Sequence, residues 1–336
     1  MKTILIFGAT GTVGAYTSLY LKERGYDIIA VGRRDSDNGF FLDYKIKYFS
    51  VDITNKKSFE KLPTGGIYAV INLAGILPAR MAGYHPQCYI DINITGCLNI
   101  LNYCAKIGIN RIVYSQSISD VDYLCGKRAP IKSNAISKFP LDNDHSIYSI
   151  SKNAAVSLII HYAVHYKFKY YVLRFPNIYL YHPNPYYYVN GVQKWQSYRL
   201  MIHKAIHGEP IEVWGDPQKV KDVVYVKDCC QIIEGCIRSE NAKCGYYNVG
   251  TGVGVSLENQ IKGIIQIFSP ANDKSEIRLA PDMPNSSEYI FDISATKKEL
   301  GYQPKYDYME YLKDFKSEMK KQTFQKLWGK DLVENI

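Results

Sequence analysis

Two residues near the middle of the chain, Tyr148 and Lys152, have the types and spacing of a proton-transfer pair. On a helix, the Tyr-x-x-x-Lys spacing places both side chains on one face. A nearby ammonium lowers the pKa of a phenol, so the tyrosine could exchange protons nearer neutral pH. Such a pair suits the interconversion of an alcohol and a carbonyl.

The Tyr-x-x-x-Lys spacing is weak evidence by itself, because the chain contains 30 tyrosines. It occurs again at Tyr123–Lys127, but Gly126 and Pro130 oppose a helix there. Tyr148 instead leads into residues 153–160, a segment of good helix formers. The context therefore favours Tyr148 as the functional tyrosine.

A serine hydroxyl is expected close to this pair. The strand candidate Arg111–Ser115 precedes the helix that carries Tyr148, and the sequence continues to Ser117. A hydroxyl at that strand end could hydrogen-bond the reacting oxygen.

A glycine-rich turn near the N-terminus has the pattern of a dinucleotide site. Gly8, Gly11 and Gly14 follow the strand candidate Thr3–Phe7 and open the helix candidate Thr12–Arg24. The first glycine permits a sharp turn, the second lets the backbone approach a pyrophosphate, and the third allows close helix packing. The helix N-terminus offers free N–H groups to the phosphates. The predicted phosphate-binding residues are Gly8, Thr10, Gly11, Thr12, Val13 and Gly14.

The end of the second strand candidate, Asp27–Val31, indicates which dinucleotide would bind. NAD-binding proteins usually place an acid here to hold the ribose 2′-hydroxyl. This chain has Arg33 and Arg34 instead, and guanidinium groups suit a 2′-phosphate. We therefore expect NADP, with NAD possible; the alternative is an ordinary exposed basic turn.

The first 180 residues alternate short apolar runs with amphipathic stretches, which is typical of a parallel sheet covered by helices. The strand candidates are Thr3–Phe7, Asp27–Val31, Lys47–Val51, Ile67–Leu73, Arg111–Ser115 and Tyr170–Phe175. The helix candidates are Thr12–Arg24, Asn55–Leu62, Pro86–Ile107 and Ser146–Tyr166. After Phe175 the pattern loosens into a second region, and the Lys-rich stretch Lys313–Lys330 is predicted to be a solvated helix face.

Composition and charge narrow the class of protein. The net charge is +9, but the basic residues are scattered, which argues against a nucleic-acid binder. The eight cysteines include no Cys-x-x-Cys pair, so free thiols in a reducing compartment are expected. No secretory signal or membrane-spanning run is evident, and a cytoplasmic location is predicted. His161 and His165 could share a metal, but no third ligand is apparent and none is predicted.

With these motifs on the page, the chain resembles an extended short-chain dehydrogenase/reductase of the NAD-dependent epimerase/dehydratase family. The resemblance covers residues 3–310 and includes further segments in the family's order. These are Val51–Ile53, Asn72–Gly75, Ile92–Gly96, Leu173–Tyr179, Trp214–Pro217, Lys221–Asp228 and Tyr247–Gly252. It implies an α/β fold, a doubly wound parallel Rossmann sheet with a smaller C-terminal α/β substrate-binding region. The nucleotide-binding domain would span 1–178 with 211–250 returning to it, and 179–210 and 251–336 would form the substrate-binding region.

The resemblance also implies roles for individual residues. Ser117, Tyr148 and Lys152 would be catalytic, and Lys152 would also hold the nicotinamide ribose. The further cofactor-binding residues would be Asp52, Ile53, Leu73, Ala74, Gly75, Asn93, Ser115, Phe175 and Pro176. The substrate-binding residues would be Asn177, Lys221 and Arg278.

Departures from the family pattern narrow the expected chemistry. Family dehydratases follow the catalytic serine or threonine with Asp-Glu, but here Ile118 and Ser119 follow Ser117, so dehydration is not expected. Lys221 replaces an arginine that grips the substrate diphosphate, and a point charge is a poorer match than a guanidinium fork. A second diphosphate arginine is missing before the last strand, where Arg278 is the nearest candidate.

These observations predict an enzyme that acts on a sugar hydroxyl or ketone, with a nucleotide sugar as the expected small-molecule substrate. The reaction would be C4 ketoreduction or epimerisation, and the two arginines favour the reductase. Two alternatives remain open: reduction of a non-sugar carbonyl, and a non-catalytic NADP-binding regulator on the same fold. By analogy with relatives, a homodimer through the helix candidates Pro86–Ile107 and Ser146–Tyr166 is expected, with no membrane or nucleic-acid partner.

Overall fold

A parallel β-sheet covered by helices forms the centre of the protein, which the computed structural model describes over residues 2–189 and 191–333. The strands in this part of the chain are β1 (Thr3–Phe7), β2 (Asp27–Gly32), β3 (Lys47–Ser50), β4 (Ala69–Asn72), β5 (Arg111–Ser117), β6 (Lys169–Phe175), β7 (Ile178–Tyr179), β8 (Tyr186–Val189), β9 (Val192–Trp195), β10 (Ile211–Trp214), β11 (Val220–Asp222), β12 (Val224–Tyr225), β13 (Gly245–Asn248), β14 (Gly254–Ser256) and β15 (Ile277–Ala280). The α-helices are α1 (Thr12–Glu23), α2 (Phe40–Asp43), α3 (Pro86–Tyr89), α4 (Gly96–Ile107), α5 (Asp144–Tyr166), α6 (Ser197–Ile206), α7 (Val226–Arg238), α8 (Leu257–Phe268), α9 (Ser294–Leu300), α10 (Tyr308–Lys321) and α11 (Gln325–Trp328).

Seven strands form the main sheet in the order β13-β6-β5-β4-β1-β2-β3, and every pair is parallel. The chain winds outward from β1 in both directions, so the strand order reverses between β1 and β4. In sheets of this kind, ligands bind at the carboxyl ends of the strands beside that reversal. The predicted doubly wound α/β fold is confirmed.

Alternate residues of the central strands pack into two cores, one on each face of the sheet. Ile4 and Ile6 of β1 lie in the core that also contains Ala15 of α1. Leu5 and Phe7 lie in the opposite core, beneath α4 and α5. Burial on both faces explains why these strands are continuous apolar runs in the sequence.

Two predicted helices differ from those observed. The segment predicted as Asn55–Leu62 forms a 3₁₀ helix, Lys56–Lys61. The segment predicted as Pro86–Ile107 is divided into α3, a π-helical stretch at Ile90–Thr95, and α4. A π-helical stretch is a locally wider helical turn, and such stretches frequently occur at functional sites. This one contains Asn93.

The solvated helix face predicted at Lys313–Lys330 is present, since Lys313, Lys320 and Lys321 are exposed on α10, but it is only one side of the stretch. The stretch contains the end of α10 and the short α11, and its apolar side chains are buried in the core. Phe315, Phe324 and Leu327 are each less than 4% exposed. The lysines are spaced so that these apolar residues share an inward face, and the sequence prediction had weighed only the charge.

The remaining strands form small two-stranded sheets outside the main one: β10 with β15, β11 with β14, β12 with β7, and β8 with β9. Strand β13 returns to the edge of the main sheet, and α7 packs against α1. All eight cysteines are free thiols. No helix of residues 2–189 and 191–333 has the length and apolarity needed to cross a membrane.

Candidate active site

The glycine turn lies at the carboxyl end of β1, where the strand order reverses. Gly8 has a φ of +80°, and a Cβ there would lie 2.7 Å from the Ala74 nitrogen. A Cβ on Gly14 would lie 2.1 Å from the Gly8 oxygen, so the helix can begin this close to the strand only without a side chain. The first intrahelical bond runs from the Ala15 N–H to the Gly11 oxygen, at 2.9 Å. The preceding amides of α1 point out of the helix end and are donors for a phosphate.

The end of β2 does not carry the acid that usually holds a ribose 2′-hydroxyl. Gly32 occupies the last strand position, and a Cβ there would lie 2.7 Å from Thr10 Oγ1 and 3.0 Å from the Tyr48 hydroxyl. Arg33 and Arg34 follow and are exposed. The Arg34 guanidinium donates a hydrogen bond to the Leu327 carbonyl. One member of the predicted arginine pair is therefore already engaged in a hydrogen bond within the protein.

The segment that follows β4 forms one wall of the cleft. The Ala74 N–H donates to Asn72 Oδ1 at 3.1 Å, which turns the chain away from the sheet. Asn93 accepts from the Ile76 N–H at 2.9 Å and donates to Ser151 Oγ at 3.0 Å. Asn93 thus ties this wall to α5, as a supporting role requires.

Gly75 brings the same wall close to the predicted catalytic lysine. A Cβ on Gly75 would lie 3.9 Å from Lys152 Nζ and 3.1 Å from Asn93 Oδ1. Asp52 and Ile53 lie after β3, where Asp52 accepts hydrogen bonds from the Thr54 amide and hydroxyl.

Tyr148 and Lys152 lie on the first turns of α5, beside the end of β5. The helix begins with a capping box in which Asn143 and Ser146 bond each other's backbone N–H groups. Tyr148 is buried and packs edge-on against Tyr89, and the Ser117 side chain lies close enough to lower the pKa of the phenol. The structure therefore brings together the three predicted catalytic residues, since Lys152 follows one helical turn later.

Burial dominates the protonation of both groups. Desolvation raises the pKa of Tyr148 to about 12, and the hydrogen bond from Ser117 offsets only part of this rise. Desolvation lowers the pKa of Lys152 to about 7, and its Nζ lies 4.1 Å from the centre of the Tyr114 ring. In the protein alone, burial and not the expected ammonium therefore dominates the pKa of Tyr148.

The three predicted substrate residues do not form one contact network. Asn177 is exposed just after β6, and Lys221 is half-buried on β11, where desolvation lowers its pKa. Arg278 lies on β15 and forms an exposed ion pair with Glu276 at 3.0 Å. Within the described residues, no contact joins Arg278 to the other two.

A metal site is not formed by the histidine pair. His161 and His165 stack on the exposed face of α5, with ring centres 6.2 Å apart. Among residues 2–189 and 191–333, no group of three or more His, Cys, Asp or Glu side chains could hold a metal ion.

Sequence reasoning missed two features of the cleft. Trp328 of α11 donates from Nε1 to the Thr10 carbonyl of the glycine turn, at 3.0 Å. Asp120, three residues after Ser117, forms a buried ion pair with Arg174. Both contacts join parts of the chain that are distant in sequence, and no local pattern could have indicated them.

Comparison with known proteins agrees with this geometry. The sequence pattern of the NAD dependent epimerase/dehydratase family matches residues 4–250. A UDP-glucuronate 4-epimerase from Thermodesulfobacterium geofontis is 27% identical, over 93% of this chain and 94% of the relative. The solved structure of a UDP-glucose 4-epimerase with UDP-glucose, from Thermotoga maritima, has a TM-score of 0.76 at 23% identity and covers 95% of this chain and 99% of that one. A UDP-glucose 4-epimerase complex with NAD from Thermus thermophilus has a TM-score of 0.73 at 21% identity, covering 93% and 97%. The chain belongs to the NAD-dependent epimerase/dehydratase family.

Proposed function

We propose that this protein is a nucleotide-sugar 4-epimerase that uses a nicotinamide dinucleotide. The observation that carries the proposal is the convergence of Ser117, Tyr148 and Lys152 at the strand-order reversal, beside the glycine turn. The relatives named above are UDP-sugar 4-epimerases, which supports a UDP-linked sugar as the substrate.

The residues of the cleft fit such a cofactor. A side chain on Gly8 or Gly14 would fill the space in which the turn approaches its neighbours, and the amides of Thr12 and Val13 open onto that turn. Lys152 is a buried amine whose hydrogen-bond donors would hold ribose hydroxyls. When bound, the nicotinamide supplies the acceptor and donor of a hydride.

The chain's own residues would manage the proton. Tyr148 would take the proton of the sugar hydroxyl as the carbon is oxidised. It would return the proton after the sugar has rotated to present its opposite face. Ser117 would hydrogen-bond the reacting oxygen, and Lys152 would lower the pKa of the phenol once its own charge is held by the ribose. Proton transfer needs Tyr148 within hydrogen-bond reach of the substrate oxygen, and the nearness of Ser117 to the phenol supports a shared position for that oxygen.

The preferred dinucleotide is proposed to be NADP. The end of β2 carries no acid of the kind found in NAD-binding sites, and Arg33 is an exposed cation just after that strand. The neighbouring solved structures contain NAD, which favours the other cofactor. Calorimetric titration with each dinucleotide decides between them, and a clear preference for NAD would overturn the proposal.

A 4-ketoreductase is a second candidate, favoured by the two arginines because a reductase would use exchangeable NADPH. An epimerase returns its cofactor to the starting state, so it consumes none of it over many turnovers. Stoichiometric loss of NADPH absorbance with a keto sugar would identify the reductase. Dehydration is not proposed, because Asp120 is occupied by Arg174 and Ile118 and Ser119 carry no acid.

The direct test measures interconversion of UDP-glucose with UDP-galactose, and of UDP-glucuronate with UDP-galacturonate, by chromatography. Tyr148→Phe is expected to lower kcat by about 100-fold or more, because general acid–base catalysis contributes that much. Tyr123→Phe is the matched control: Tyr123 starts the other Tyr-x-x-x-Lys sequence, but it is 40% exposed and its hydroxyl contacts only the Ile136 carbonyl among the described partners. Equal activity in the wild type and Tyr148→Phe would overturn the mechanism.

A further inference from the structure

A buried ion pair lies behind the turn that carries Ser117. The Nε and Nη2 atoms of Arg174 donate to the two carboxylate oxygens of Asp120, at 2.9 and 3.0 Å. Each side chain is 1% exposed. Removing two charges from water costs more than most such pairs return in stability, so a buried pair is weak evidence for a stabilising role. A role in positioning is the alternative, and the surroundings of the pair indicate what it positions.

Asp120 closes the turn that begins at Ser117. Ser117 Oγ accepts from the Ser119 N–H at 3.2 Å, and the Ser149 hydroxyl contacts the Ser119 hydroxyl at 3.1 Å. Ser149 is the neighbour of Tyr148 on α5. The orientation of this turn therefore sets the distance between the Ser117 hydroxyl and the phenol.

Arg174 joins this turn to the strand that leads to the substrate segment. It lies on β6, three residues before Asn177, and its Nη1 donates to the Ser133 carbonyl at 3.0 Å and to Asn248 Oδ1 at 3.3 Å. The guanidinium also lies over the Tyr246 ring, 4.9 Å from its centre. These contacts hold the guanidinium in one place. Because two of its nitrogens donate to the two oxygens of Asp120, they also fix the orientation of that carboxylate.

We propose that Asp120 and Arg174 are positioning residues of the active site, which hold the Ser117 turn in hydrogen-bond reach of Tyr148. The proposal rests on the proposed function for its catalytic readout. It adds a residue pair to the three that the family resemblance implies.

The pair also has an electrostatic consequence. The groups that interact with the Tyr148 phenol are Ser117, Tyr89 and Asp120, with Lys152 one turn further along the same helix. The Asp120 carboxylate raises the pKa of Tyr148. Asp120→Asn removes that negative charge and leaves the Arg174 cation unbalanced, so both changes lower the pKa of the phenol. The acid limb of the pH profile should therefore move to lower pH.

The central test compares arginine-to-lysine variants at the two ends of the sheet. Arg174→Lys keeps the charge but loses the fork that orients Asp120, and we expect kcat to fall by roughly 10- to 100-fold. Arg111→Lys is the matched control, because Arg111 is also 1% exposed and bonds carbonyls and a carboxylate, but at the amino end of β5. It should lose stability without a comparable loss of kcat. Equal losses in the two variants would overturn the proposal.

A second measurement separates positioning from folding. The double variant Asp120→Leu/Arg174→Met replaces the pair by apolar side chains, which often preserves folding, and it should bind the dinucleotide like the wild type while kcat falls. Asp120→Asn should shift the acid limb of kcat downward in pH. A double variant with wild-type kcat would contradict the positioning role, and an unshifted limb would contradict the action of the Asp120 charge on Tyr148.

Failure of this proposal can be told from failure of the proposed function. If the wild type turns over no UDP-sugar, the proposed function fails, and the titration of the Tyr148 phenol can still be followed by NMR with ¹³C-labelled tyrosine and Tyr148→Phe for assignment. A lower phenol pKa in Asp120→Asn supports the pair's action on Tyr148 in that case. An unchanged phenol pKa overturns it.

Discussion

At the residue scale, Lys152 shows how environment changes the chemistry expected from a motif. The Tyr-x-x-x-Lys spacing predicts an ammonium that lowers the pKa of a nearby phenol. In the folded protein both side chains are buried. Desolvation raises the pKa of Tyr148 and lowers the pKa of Lys152, so it favours the neutral form of each. The cation is restored only when a partner compensates for the lost hydration. We infer that the dinucleotide is that partner and that its binding completes the catalytic pair.

This inference predicts that dinucleotide binding takes up a proton near pH 8. With a pKa of about 7, Lys152 is roughly nine-tenths neutral at that pH in the protein alone. The phosphates and ribose hydroxyls favour the charged form, so binding raises the pKa and close to one proton enters from the buffer. Calorimetric titration in two buffers of different ionisation enthalpy measures the uptake.

Two controls accompany that titration. Near pH 6 the lysine is already protonated, so this part of the uptake should disappear. Near pH 8, Lys152→Met should abolish it. Proton uptake that is the same in Lys152→Met and in the wild type would assign the effect to another group.

At the scale of the elements, the sequence was sufficient where one local pattern decides the structure. Strand β1 has the predicted bounds, and α1 ends one residue early. Periodicity reveals these elements because each has one consistent buried face. The segment Pro86–Ile107 carries the same helical pattern throughout, but its middle is π-helical, where Asn93 reaches Ile76 and Ser151. Those contacts come from other parts of the chain, and a pattern within the helix cannot show them.

The candidate site divides in the same way. The glycine turn, Tyr148 and Lys152 could be found because each requires a residue type at a fixed spacing. The contact of Arg34 with Leu327 could not be found, because it depends on where the end of the chain packs. The same is true of Trp328, which reaches the glycine turn from more than three hundred positions away in the sequence.

The segment Phe324–Leu332 is therefore predicted to contribute to cofactor affinity. Trp328→Phe keeps an aromatic ring against Phe324 but removes the N–H that holds the Thr10 carbonyl. A net hydrogen bond is worth about 0.5–1.5 kcal/mol, so dinucleotide affinity should fall by roughly two- to tenfold. Calorimetry on the purified variant measures this change.

Trp214→Phe is the control for that measurement. Trp214 is 46% exposed and donates to Glu212 at 2.9 Å, on β10. The substitution removes the same kind of donor away from the glycine turn, and affinity should not change. If both variants bind the dinucleotide like the wild type, the contact with Thr10 has no part in binding.

At the scale of the whole molecule, one end of the chain connects the two regions that a reaction must bring together. Residues of the segment Phe324–Leu332 contact α2, since Lys326 pairs with Asp43 at 2.5 Å. Further along, Asp331 accepts from the Tyr181 hydroxyl at 2.9 Å, and the Leu332 N–H donates to the Pro183 carbonyl. Tyr181 and Pro183 follow β7, in the region predicted to bind substrate. The segment Phe324–Leu332 therefore contacts both α2 and the region predicted to bind substrate.

The outer face of α5 leads to the last prediction, that the chain is a homodimer. Ile150, Ser157, His161 and Val164 are all exposed and fall within about 60° of one another around the helix. Val164 is 63% exposed, and a stripe of this kind on a long helix is typical of a helix-packing surface. Light scattering should give a mass of about twice 38.4 kDa for the wild type and a single chain for Val164→Asp, because a buried carboxylate without a partner opposes association.

Val253→Asp is the matched control, since Val253 is 64% exposed beyond the main sheet, and it should remain dimeric. A monomeric wild type, or a dimeric Val164→Asp, would show that this face of α5 is not the interface.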